Sequence, residues 1–340
     1  MLPHGAGTKP ALSAPGDAPA ATRIDLRGLS GITDYQPGEF VITALAGTPV
    51  AELQEALAQQ GQYLPFDPPL ASSGATVGGT LASGINGPCR LRYGGLRDFV
   101  IGVQFVDGES RLVKAGGKVI KNVAGFDYPK LLVGSFGRLG IITEITFKVF
   151  PAPETFLSLR FDLGHIDAAI EAAGLLASSP LEPHAIDIRP PGQLYLRLGG
   201  AAAGLRSTAA RAVTMIDGPA EELEGEEEPR YWDEVRDFTW ASAPLLVKIP
   251  VALRTLSDLD FAFGRIDARR RYSQAGNVAH AELDPGQMAS IEPELESLGL
   301  CGLVLRGGAR RARIGRLPSP EAEARVKRAL DPSNKFLPLP

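Results

Sequence analysis

Three glycine-rich segments of this chain could bring backbone N–H groups against a ligand that carries phosphates. They are HGAGTK at residues 4–9, GATVGGTLASG at 74–84 and GSFGRLGII at 134–142. Glycine lets the main chain approach a ligand closely, and successive N–H groups can solvate an anion without a charged side chain. Hydroxyl donors stand in the first two segments at Thr8, Thr76, Thr80 and Ser83. A glycine-rich turn on its own is most often only a turn, so the three segments must be considered together.

Two common nucleotide-binding signatures are absent from the sequence. No GxxxxGK[ST] segment occurs, because AGGKV around Lys118 lacks both the spacing and the hydroxyl residue. The third segment has the wrong glycine spacing for the βαβ dinucleotide fingerprint and precedes a predicted strand rather than a helix. A nicotinamide-binding domain is therefore not expected.

The cysteines and histidines lack the spacing of a metal site or a disulfide framework. Cys89 and Cys301 are far apart and form no CxxC pair for zinc or an iron–sulfur cluster. The histidines show no HExxH pattern and are interpreted as surface or packing residues: His4, His165, His184 and His280. We predict no metal site in this chain, and the sequence identifies no catalytic base.

Composition and charge limit the class of protein. The chain has 340 residues, of which 44% are hydrophobic and 22% charged, as expected for two globular domains. Its net charge of −4 argues against nucleic acid as a partner, and the arginines of residues 306–316 are interpreted as a solvated or partner-facing stretch. No apolar run is long enough for a membrane helix and no secretory leader is visible, so a cytoplasmic chain is expected.

The glycine-rich segments lie in a predicted amino-terminal domain, residues 1–151. Residues 39–47 are typical of a strand, and Thr48 is expected to cap the helix that follows. Residues 99–116 predict a hairpin with a two-residue turn at Asp107-Gly108. Apolar and polar residues alternate from residue 141 to 149, which predicts a half-buried strand.

A second predicted domain covers residues 152–317, and residues 318–340 are expected to form a carboxy-terminal helix and tail. Short alternating strands are interleaved with helices near residues 166–178 and 204–217. This alternation predicts an α+β domain with helices on one face of a mostly antiparallel sheet. No internal repeat is visible in the sequence.

The glycine-rich segments and their surroundings resemble a known family of flavoproteins. HGAGTKP is similar to the first pyrophosphate loop of the p-cresol methylhydroxylase (PCMH) or vanillyl-alcohol oxidase type of FAD domain. PFDPPLASSGATVGGTLASGINGP, YGGLRDFVIGVQFVDG and GSFGRLGIITEITFKV are similar to the second half of that domain. More narrowly, NGPCRLRYGGLRDFV and GGKVIKNVAGFDYPKL resemble the FAD-binding E subunits of bacterial glycolate oxidases.

The resemblance implies a fold, a cofactor and partners. The fold is α+β: a PCMH-type FAD-binding domain of two α+β lobes, followed by a smaller α+β, ferredoxin-like domain. FAD is bound without a covalent bond, in an assembly that oxidises glycolate and related 2-hydroxy acids. A paralogous FAD-binding subunit and an iron–sulfur subunit pass the electrons onward, ultimately to a quinone, and the partners could bring the chain to the inner face of a membrane.

Position by position, the resemblance implies FAD contacts in each glycine-rich segment. These are Gly5, Ala6, Gly7 and Thr8 in the first, Gly74, Ala75, Thr76, Gly78, Gly79, Thr80, Ser83 and Gly84 in the second, and Gly137, Gly140, Ile141 and Ile142 in the third. Further candidates near the isoalloxazine ring are Tyr93, Gly94 and Arg97. In KNVAGFD, the polar residues Lys121, Asn122 and Asp127 either cap a turn or approach the flavin.

The sequence departs from the wider family at three places. The chain begins at the first pyrophosphate loop, whereas relatives carry a helix and a strand before it. The histidine that attaches flavin covalently in some members follows the loop glycines, but His4 precedes them; Cys89 is the alternative attachment point. The metal-binding pattern HxGDGNxH is missing, and only Asn277 and His280 of SQAGNVAHAEL resemble it.

Two hypotheses therefore stay open. In the first, this chain's own FAD accepts a hydride from the hydroxy acid, with an arginine such as Arg97 binding the carboxylate. In the second, the chain is an accessory flavoprotein for electron relay or assembly, and its paralogous partner performs the chemistry. The missing metal pattern favours the second.

Overall fold

A computed structural model describes residues 1–13, 21–117, 126–308, 311–317 and 320–339 of the chain. These residues group into two compact units of nearly equal length. Unit 1 contains Met1–Gly87, Gly94–Ala152 and Ser319–Pro340, and unit 2 contains Pro88–Tyr93 and Pro153–Pro318. Within the described ranges, no helix combines the length and the apolar character that crossing a bilayer requires.

The grouping differs from the predicted organisation in two respects. The carboxy-terminal helix belongs to unit 1, although the sequence predicts a separate helix and tail. The short segment Pro88–Tyr93 belongs to unit 2, although it lies inside the predicted amino-terminal domain. Neither departure has a sequence signal, because both depend on contacts between distant parts of the chain.

Up to residue 151 the chain forms short strands and helices around one sheet. The elements are β1 Leu2–His4, β2 Arg23–Asp25, β3 Ile32–Gln36, a 3-10 turn Pro37–Glu39, β4 Val41–Leu45, α1 Val50–Ala58, β5 Gln62–Tyr63, α2 Val77–Ser83, α3 Arg90–Tyr93, α4 Leu96–Phe99, β6 Val100–Val106, β7 Leu112–Gly116, α5 Tyr128–Leu132, β8 Ile141–Lys148 and β9 Phe150–Pro151. The five-stranded sheet is antiparallel, in the order β3-β4-β8-β6-β7. Strands β1 and β2 form a separate parallel pair, and β5 pairs with β9.

The core of unit 1 contains the apolar residues of β8 and an aromatic cluster. Phe66 lies 5.6 Å from Phe147 and 5.9 Å from Phe99, measured between ring centroids. All three rings are buried, and such tilted aromatic pairs stabilise a core beyond their buried area. Helix α2 packs on β4 and β8, so the second glycine-rich segment is attached to the centre of the sheet.

Two local predictions for unit 1 are wrong. Thr48 does not cap α1: its hydroxyl donates to the carbonyl of Leu45 at 2.7 Å, and Pro49 occupies the N-cap position. The hairpin of β6 and β7 has a longer connection, residues 107–111, in place of a two-residue turn. The carboxylate of Asp107 accepts hydrogen bonds from the backbone of Glu109 and Arg111, which favours the wider loop.

Beyond residue 151 the chain forms a second, larger sheet. The elements are β10 Thr155–Asp162, α6 Ile166–Ala177, β11 Ala185–Arg189, β12 Gln193–Gly200, α7 Ala202–Ile216, β13 Ala220–Glu222, α8 Glu227–Asp237, β14 Leu245–Pro250, α9 Leu253–Arg265, β15 Arg270–Ser273, β16 Val278–Leu283, α10 Pro285–Ser297, β17 Cys301–Arg306, β18 Arg313–Gly315 and α11 Pro320–Leu330. The nine strands are antiparallel, in the order β13-β10-β12-β11-β15-β16-β14-β17-β18.

Unit 2 is a duplicated ferredoxin-like fold. One βαββαβ module runs from β10 to β13 and the other from β14 to β17, and in each the sheet order is fourth, first, third and second strand. The modules join where β11 pairs with β15. The α+β, ferredoxin-like prediction is confirmed, but the domain contains two such modules and is not the smaller of the two. The duplication is not visible in the sequence because the two modules share a topology but no recognisable sequence motif.

The helices of the two modules form one layer. Helices α7, α6, α9 and α10 contact one another in that order and pack on the strands. Helix α8 lies on the opposite face of the sheet. The hydroxyl of Tyr231 on α8 donates to Asp187 of β11. The next residue of β11, Ile188, is paired with Tyr272, so these two side chains point to the same face. Tyr272 itself reaches α9, where its hydroxyl donates to Asp260. Asp187 therefore points away from the helix layer.

The buried ammonium of Lys327 joins the carboxy-terminal helix to the rest of unit 1. Lys327 donates to Asp331 at 2.5 Å and to the carbonyl oxygens of Arg138 and Phe336 at 2.7 and 3.0 Å. Asp331 is fully buried and also accepts from the backbone of Phe336 and Lys335. Burial alone would raise the pKa of Asp331, but these hydrogen bonds hold that pKa below its ordinary value.

We predict that Asp331→Ala lowers the free energy of unfolding by about 3–5 kcal/mol at neutral pH, because it leaves the Lys327 ammonium buried without its partner. A carboxyl group whose pKa is lower in the folded than in the unfolded protein stabilises the fold at pH values above its unfolded pKa. This stabilisation is lost as the pH falls through the pKa of the folded state. The difference between the two proteins should therefore shrink below about pH 4. Urea unfolding at several pH values measures it, with exposed Glu321→Ala as the control; equal stability of Asp331→Ala and the parent would contradict this account.

Candidate functional site

The three glycine-rich segments line one cleft in unit 1. The cleft has about 690 Å³ of empty space, counted out to open solvent. Eleven predicted residues are in its lining: Gly5, Ala6, Gly7, Thr8, Thr76, Gly78, Gly79, Ser83, Gly137, Gly140 and Ile142. The other predicted residues belong to the same segments but are not in the lining: Gly74, Ala75, Thr80, Gly84 and Ile141.

Thr76 connects the first segment to the second. Its Oγ1 accepts a hydrogen bond from the N–H of Gly79 at 3.2 Å and so caps α2. A Cβ placed on Gly5 would lie only 2.3 Å from the same oxygen. Glycine at position 5 therefore lets the first segment lie directly against the beginning of α2.

The third segment packs against β1, the strand that leads into the first segment. Gly137 has a φ of +68°, and a Cβ there would lie 3.1 Å from Cγ of Pro3 in β1. Gly140 lies against β6, where a Cβ would come within 2.7 Å of the Phe105 ring. Several glycines of the motif thus serve contacts between segments rather than contacts with a ligand.

Gly78 also has a packing role. Its N–H donates to the carbonyl of Ala46 at 2.7 Å, and a Cβ would lie 2.8 Å from the Cβ of Ala46. The N–H of Val77 donates to the carbonyl of Thr48. These N–H groups are used within the protein, so the first turn of α2 offers fewer free donors than the sequence suggests.

Two other glycines leave space at the cleft. A Cβ on Gly7, which has a φ of +69°, would meet nothing within 4 Å. A Cβ on Gly79 would meet only Oγ1 of Thr76, at 3.0 Å. At these two positions the backbone itself forms the cleft wall, which is the cradle that a ligand in close contact requires.

Lys9 is a cleft residue that the sequence analysis missed. Its side chain is 7% exposed, and its ammonium donates to Oγ1 of Thr8 at 3.3 Å. Burial lowers the pKa of Lys9 to about 8. A buried ammonium beside an open cleft is suited to an anionic ligand, and its place at the end of HGAGTK was the available signal.

The rest of the cleft wall is largely apolar, with Leu12, Leu26 and Phe136 in its lining. Leu12 and Leu26 lie outside the sequence motifs, and Phe136 lies in the third glycine-rich segment but is not among its predicted contacts, so only the folded chain reveals them. A buried cation, bare backbone and apolar side chains together fit a ligand with an anionic part and a flat apolar part. The residues present therefore fit FAD, whose pyrophosphate and ring system have those two characters.

Hydroxyl groups near the cleft differ in their availability. The Ser83 hydroxyl donates to the carbonyl of Thr80 at 3.1 Å, inside α2. The Thr80 hydroxyl is buried and, within the described part of the chain, has no hydrogen-bond partner. Neither is arranged as a ready donor toward the cleft.

The further candidates lie elsewhere. Tyr93 belongs to unit 2, where its hydroxyl is 3.2 Å from Nε2 of His184, and Cys89 is buried there beside Trp232. Arg97 is exposed on α4. Gly94 has a φ of +91° and faces Asp98, whose carboxylate accepts the N–H of Gly95.

The remaining predicted positions that the structure describes make local hydrogen bonds. Asp127 caps α5 by accepting from the N–H of Lys130 at 3.3 Å, whereas Lys121 and Asn122 lie outside the described residues. Asn277 donates to the carbonyl of Gln274 at 2.9 Å. Among the residues that the structure describes, no group of three His, Cys, Asp or Glu side chains could hold a metal ion.

Comparisons with known proteins include a family match over the first two glycine-rich segments. Residues 1–116 match the family described as FAD binding domain. The chain is 39% identical to glycolate oxidase subunit GlcE of Escherichia coli K12, over 63% of this chain and 58% of that protein. It is 31% identical to glycolate oxidase subunit GlcD of Bacillus subtilis, over 79% of this chain and 55% of that protein. The matches thus span little more than half of these relatives.

A solved structure shares the fold. The alkyldihydroxyacetonephosphate synthase structure superposes with a TM-score of 0.72 over 99% of this chain and 71% of that one, at 18% identity. At this identity the likeness shows the fold alone.

A D-lactate dehydrogenase of Anaerostipes hadrus is 33% identical over 48% of this chain and 34% of that protein.

We predict that FAD affinity is constant below about pH 8 and falls about tenfold per pH unit above it, because the anion binds the protonated form of Lys9. Lys9→Met should weaken binding by about tenfold to a hundredfold at neutral pH and remove this pH dependence. Fluorescence titration of the FAD-free chain gives the dissociation constants. An unchanged pH profile in Lys9→Met would show that another group titrates.

Two neighbouring glycines provide a matched pair of variants. Gly79→Leu should fill the cleft and abolish FAD binding in a folded chain, since its Cβ meets only the Thr76 hydroxyl. Gly78→Ala should instead cost about 1–3 kcal/mol of stability through its clash with Ala46. Flavin absorbance after reconstitution and thermal unfolding separate the two effects. Stoichiometric flavin in Gly79→Leu would refute the position of the cofactor.

Proposed function

We propose that this chain, which is a FAD-binding protein of the PCMH type through residues 1–116, is a subunit of an oxidoreductase that converts small 2-hydroxy acids such as glycolate to 2-oxo acids. The observation that carries the proposal is the unit 1 cleft, where Lys9 and the bare backbone at Gly7 and Gly79 stand beside apolar side chains. The kind of substrate is supported by relatives that are glycolate oxidase subunits and D-lactate dehydrogenases.

The chain's own residues would divide the work of holding FAD. Lys9 supplies a positive charge for the pyrophosphate, and Gly7 and Gly79 allow it to approach the backbone. Leu12 and Phe136 supply apolar contact and exclude water from the cofactor. When bound, FAD supplies the chemistry that these side chains lack, which is acceptance of a hydride from the carbon that bears the hydroxyl.

Among the residues that the structure describes, the cleft lining contains no carboxylate. Its titratable side chains are Lys9 and His4, and Nδ1 of His4 is 3.0 Å from the carbonyl oxygen of Gly5. A carboxylate base for the substrate hydroxyl is thus not evident among the described lining residues. This observation supports the second candidate function, in which the chain is an accessory flavoprotein and a paralogous FAD-binding subunit performs the oxidation.

The proposed assembly contains an iron–sulfur subunit as the next electron carrier. The two cysteines of this chain cannot supply the four thiolates that a cluster needs, so a cluster would belong to a partner. Two relatives are themselves called subunits of glycolate oxidase, which supports a hetero-oligomer. We place the assembly in the cytoplasm, with any attachment to the inner face of the membrane made through the partners.

We predict that glycolate, added without oxygen to the FAD-loaded chain, bleaches the visible absorbance of the flavin if the chain is catalytic. The same addition to FAD-loaded chain together with its paralogous partner should bleach in either case. Persistent oxidised absorbance of the isolated chain at saturating glycolate would support the accessory role. A chain that cannot be reconstituted with FAD would overturn both candidate functions.

A further inference from the structure

The two edges of the nine-stranded sheet in unit 2 carry opposite charges. Among the described strands, β13 forms one edge and pairs with β10 alone, whereas β18 forms the other edge and pairs with β17 alone. Each edge strand is three residues long, so neither offers a long ladder of backbone groups to another molecule. The edges therefore differ mainly in the side chains that they present.

The β13 edge is acidic. Exposed glutamates lie in this strand and in the connection that leads from it into α8: Glu221, Glu222, Glu224, Glu226 and Glu227. Arg160 pairs with Glu221, and Arg206 lies 3.5 Å from Glu222. The other three glutamates make no ion pair with a described residue, so negative charge without a partner remains at this edge.

The β18 edge is basic. Arg313 lies in the strand, with Arg311 before it and Arg316 after it, whereas Arg310 lies outside the described residues. The side chain of Arg311 is 66% exposed and lies 3.8 Å from Glu292 of α10. Arg316 is exposed and makes no ion pair with a described residue, and the adjacent Leu317 is also exposed. The arginine stretch thus lies at a sheet edge, where it is accessible to a partner.

Charged side chains on edge strands usually prevent two sheets from joining. Here that protection works between two edges of the same kind, because glutamates would face glutamates or arginines would face arginines. It fails between the β13 edge of one molecule and the β18 edge of another, where glutamates would face arginines. The charges therefore disfavour a two-fold symmetric contact between edges and favour a head-to-tail contact.

We propose that unit 2 binds a second copy of this chain, with the acidic β13 edge of one copy against the basic β18 edge of the next. Glu224 and Glu227 of one copy supply the negative charge, and Arg311 and Arg316 of the other supply the positive charge. The contact also covers Leu317, which is otherwise exposed to water. Each copy keeps one free edge of each kind, so the assembly grows with protein concentration or closes into a ring.

The contact is tested first on the FAD-loaded parent chain by sedimentation velocity. Exposed charges attract one another weakly and are screened by salt, so the association is reversible and depends on ionic strength. We expect the mean sedimentation coefficient to rise with protein concentration at about 20 mM salt, and the dissociation constant to increase about tenfold or more at about 0.5 M salt. A chain that stays monomeric up to about 100 μM at the lower salt concentration overturns the proposal.

Two charge-reversed variants then test which edges meet. The acidic-edge variant carries Glu224→Lys with Glu227→Lys, and the basic-edge variant carries Arg311→Glu with Arg316→Glu. Each variant alone should be monomeric, because its two edges have charges of the same sign. An equimolar mixture should associate again, since the new lysines of one variant face the new glutamates of the other and the unchanged edges also match.

Net charge alone predicts the opposite result for the acidic-edge variant. Each Glu→Lys change adds two positive charges, so the net charge of this variant rises from −4 to zero, where proteins associate more readily. The matched control is Glu171→Lys with Asp258→Lys, which changes the net charge equally at exposed positions of α6 and α9. The control should associate at least as strongly as the parent, and flavin absorbance with thermal unfolding shows that each variant is folded.

The mixture decides between a head-to-tail contact and any other. Association of the mixture, with each variant monomeric alone, supports the proposal. Monomers in the mixture, or association of the acidic-edge variant alone, overturn it, and so does a parent dimer that neither charge reversal affects. If a double variant does not fold, the single changes Glu224→Lys and Arg316→Glu are compared in the same way.

Discussion

The contact between Thr76 and Gly5 is the constraint on which the amino-terminal unit depends. The Thr76 oxygen caps α2 and at the same time fills the space where a side chain at position 5 would be. Because α2 rests on β4 and β8, this one oxygen joins the first glycine-rich segment to the central sheet. Movement of the first or the second segment would break the Thr76 cap of α2 or the close packing of Gly5 on Thr76. These two contacts therefore fix the cleft between the segments.

Glycine therefore has two different roles in this cleft. At positions such as Gly78 and Gly140 it lets protein segments touch, whereas at Gly7 and Gly79 it leaves bare backbone toward the open space. The sequence shows only that glycine is present, since both roles require the absence of Cβ. Lys9 then gives the cleft its chemical character, because a buried ammonium there favours an anionic ligand.

Much of the fold was predictable from local patterns. The alternation of β8, the helices α6 and α7 and the α+β class follow from periodicity and from the family resemblance. The duplication of the ferredoxin-like module and the site of the carboxy-terminal helix did not, because they depend on long-range contacts such as Lys327 with the carbonyl of Arg138. The wider hairpin loop also differed from the prediction, because the Asp107 carboxylate accepts from the backbone of Glu109 and Arg111. Among cleft residues, the predicted contacts lie inside the glycine motifs, while Lys9 and Phe136 lie in those motifs without having been predicted and Leu12 comes from a position without any motif.

The central claim is that FAD binds in the cleft between the three glycine-rich segments. Hydrogen–deuterium exchange of the FAD-free chain, with and without one equivalent of FAD, tests it directly by reporting which backbone amides become protected. We expect slower exchange in residues 4–9, 74–84 and 134–142 together, since the cofactor would cover all three. Stoichiometric FAD binding with unchanged exchange in these segments would contradict the account.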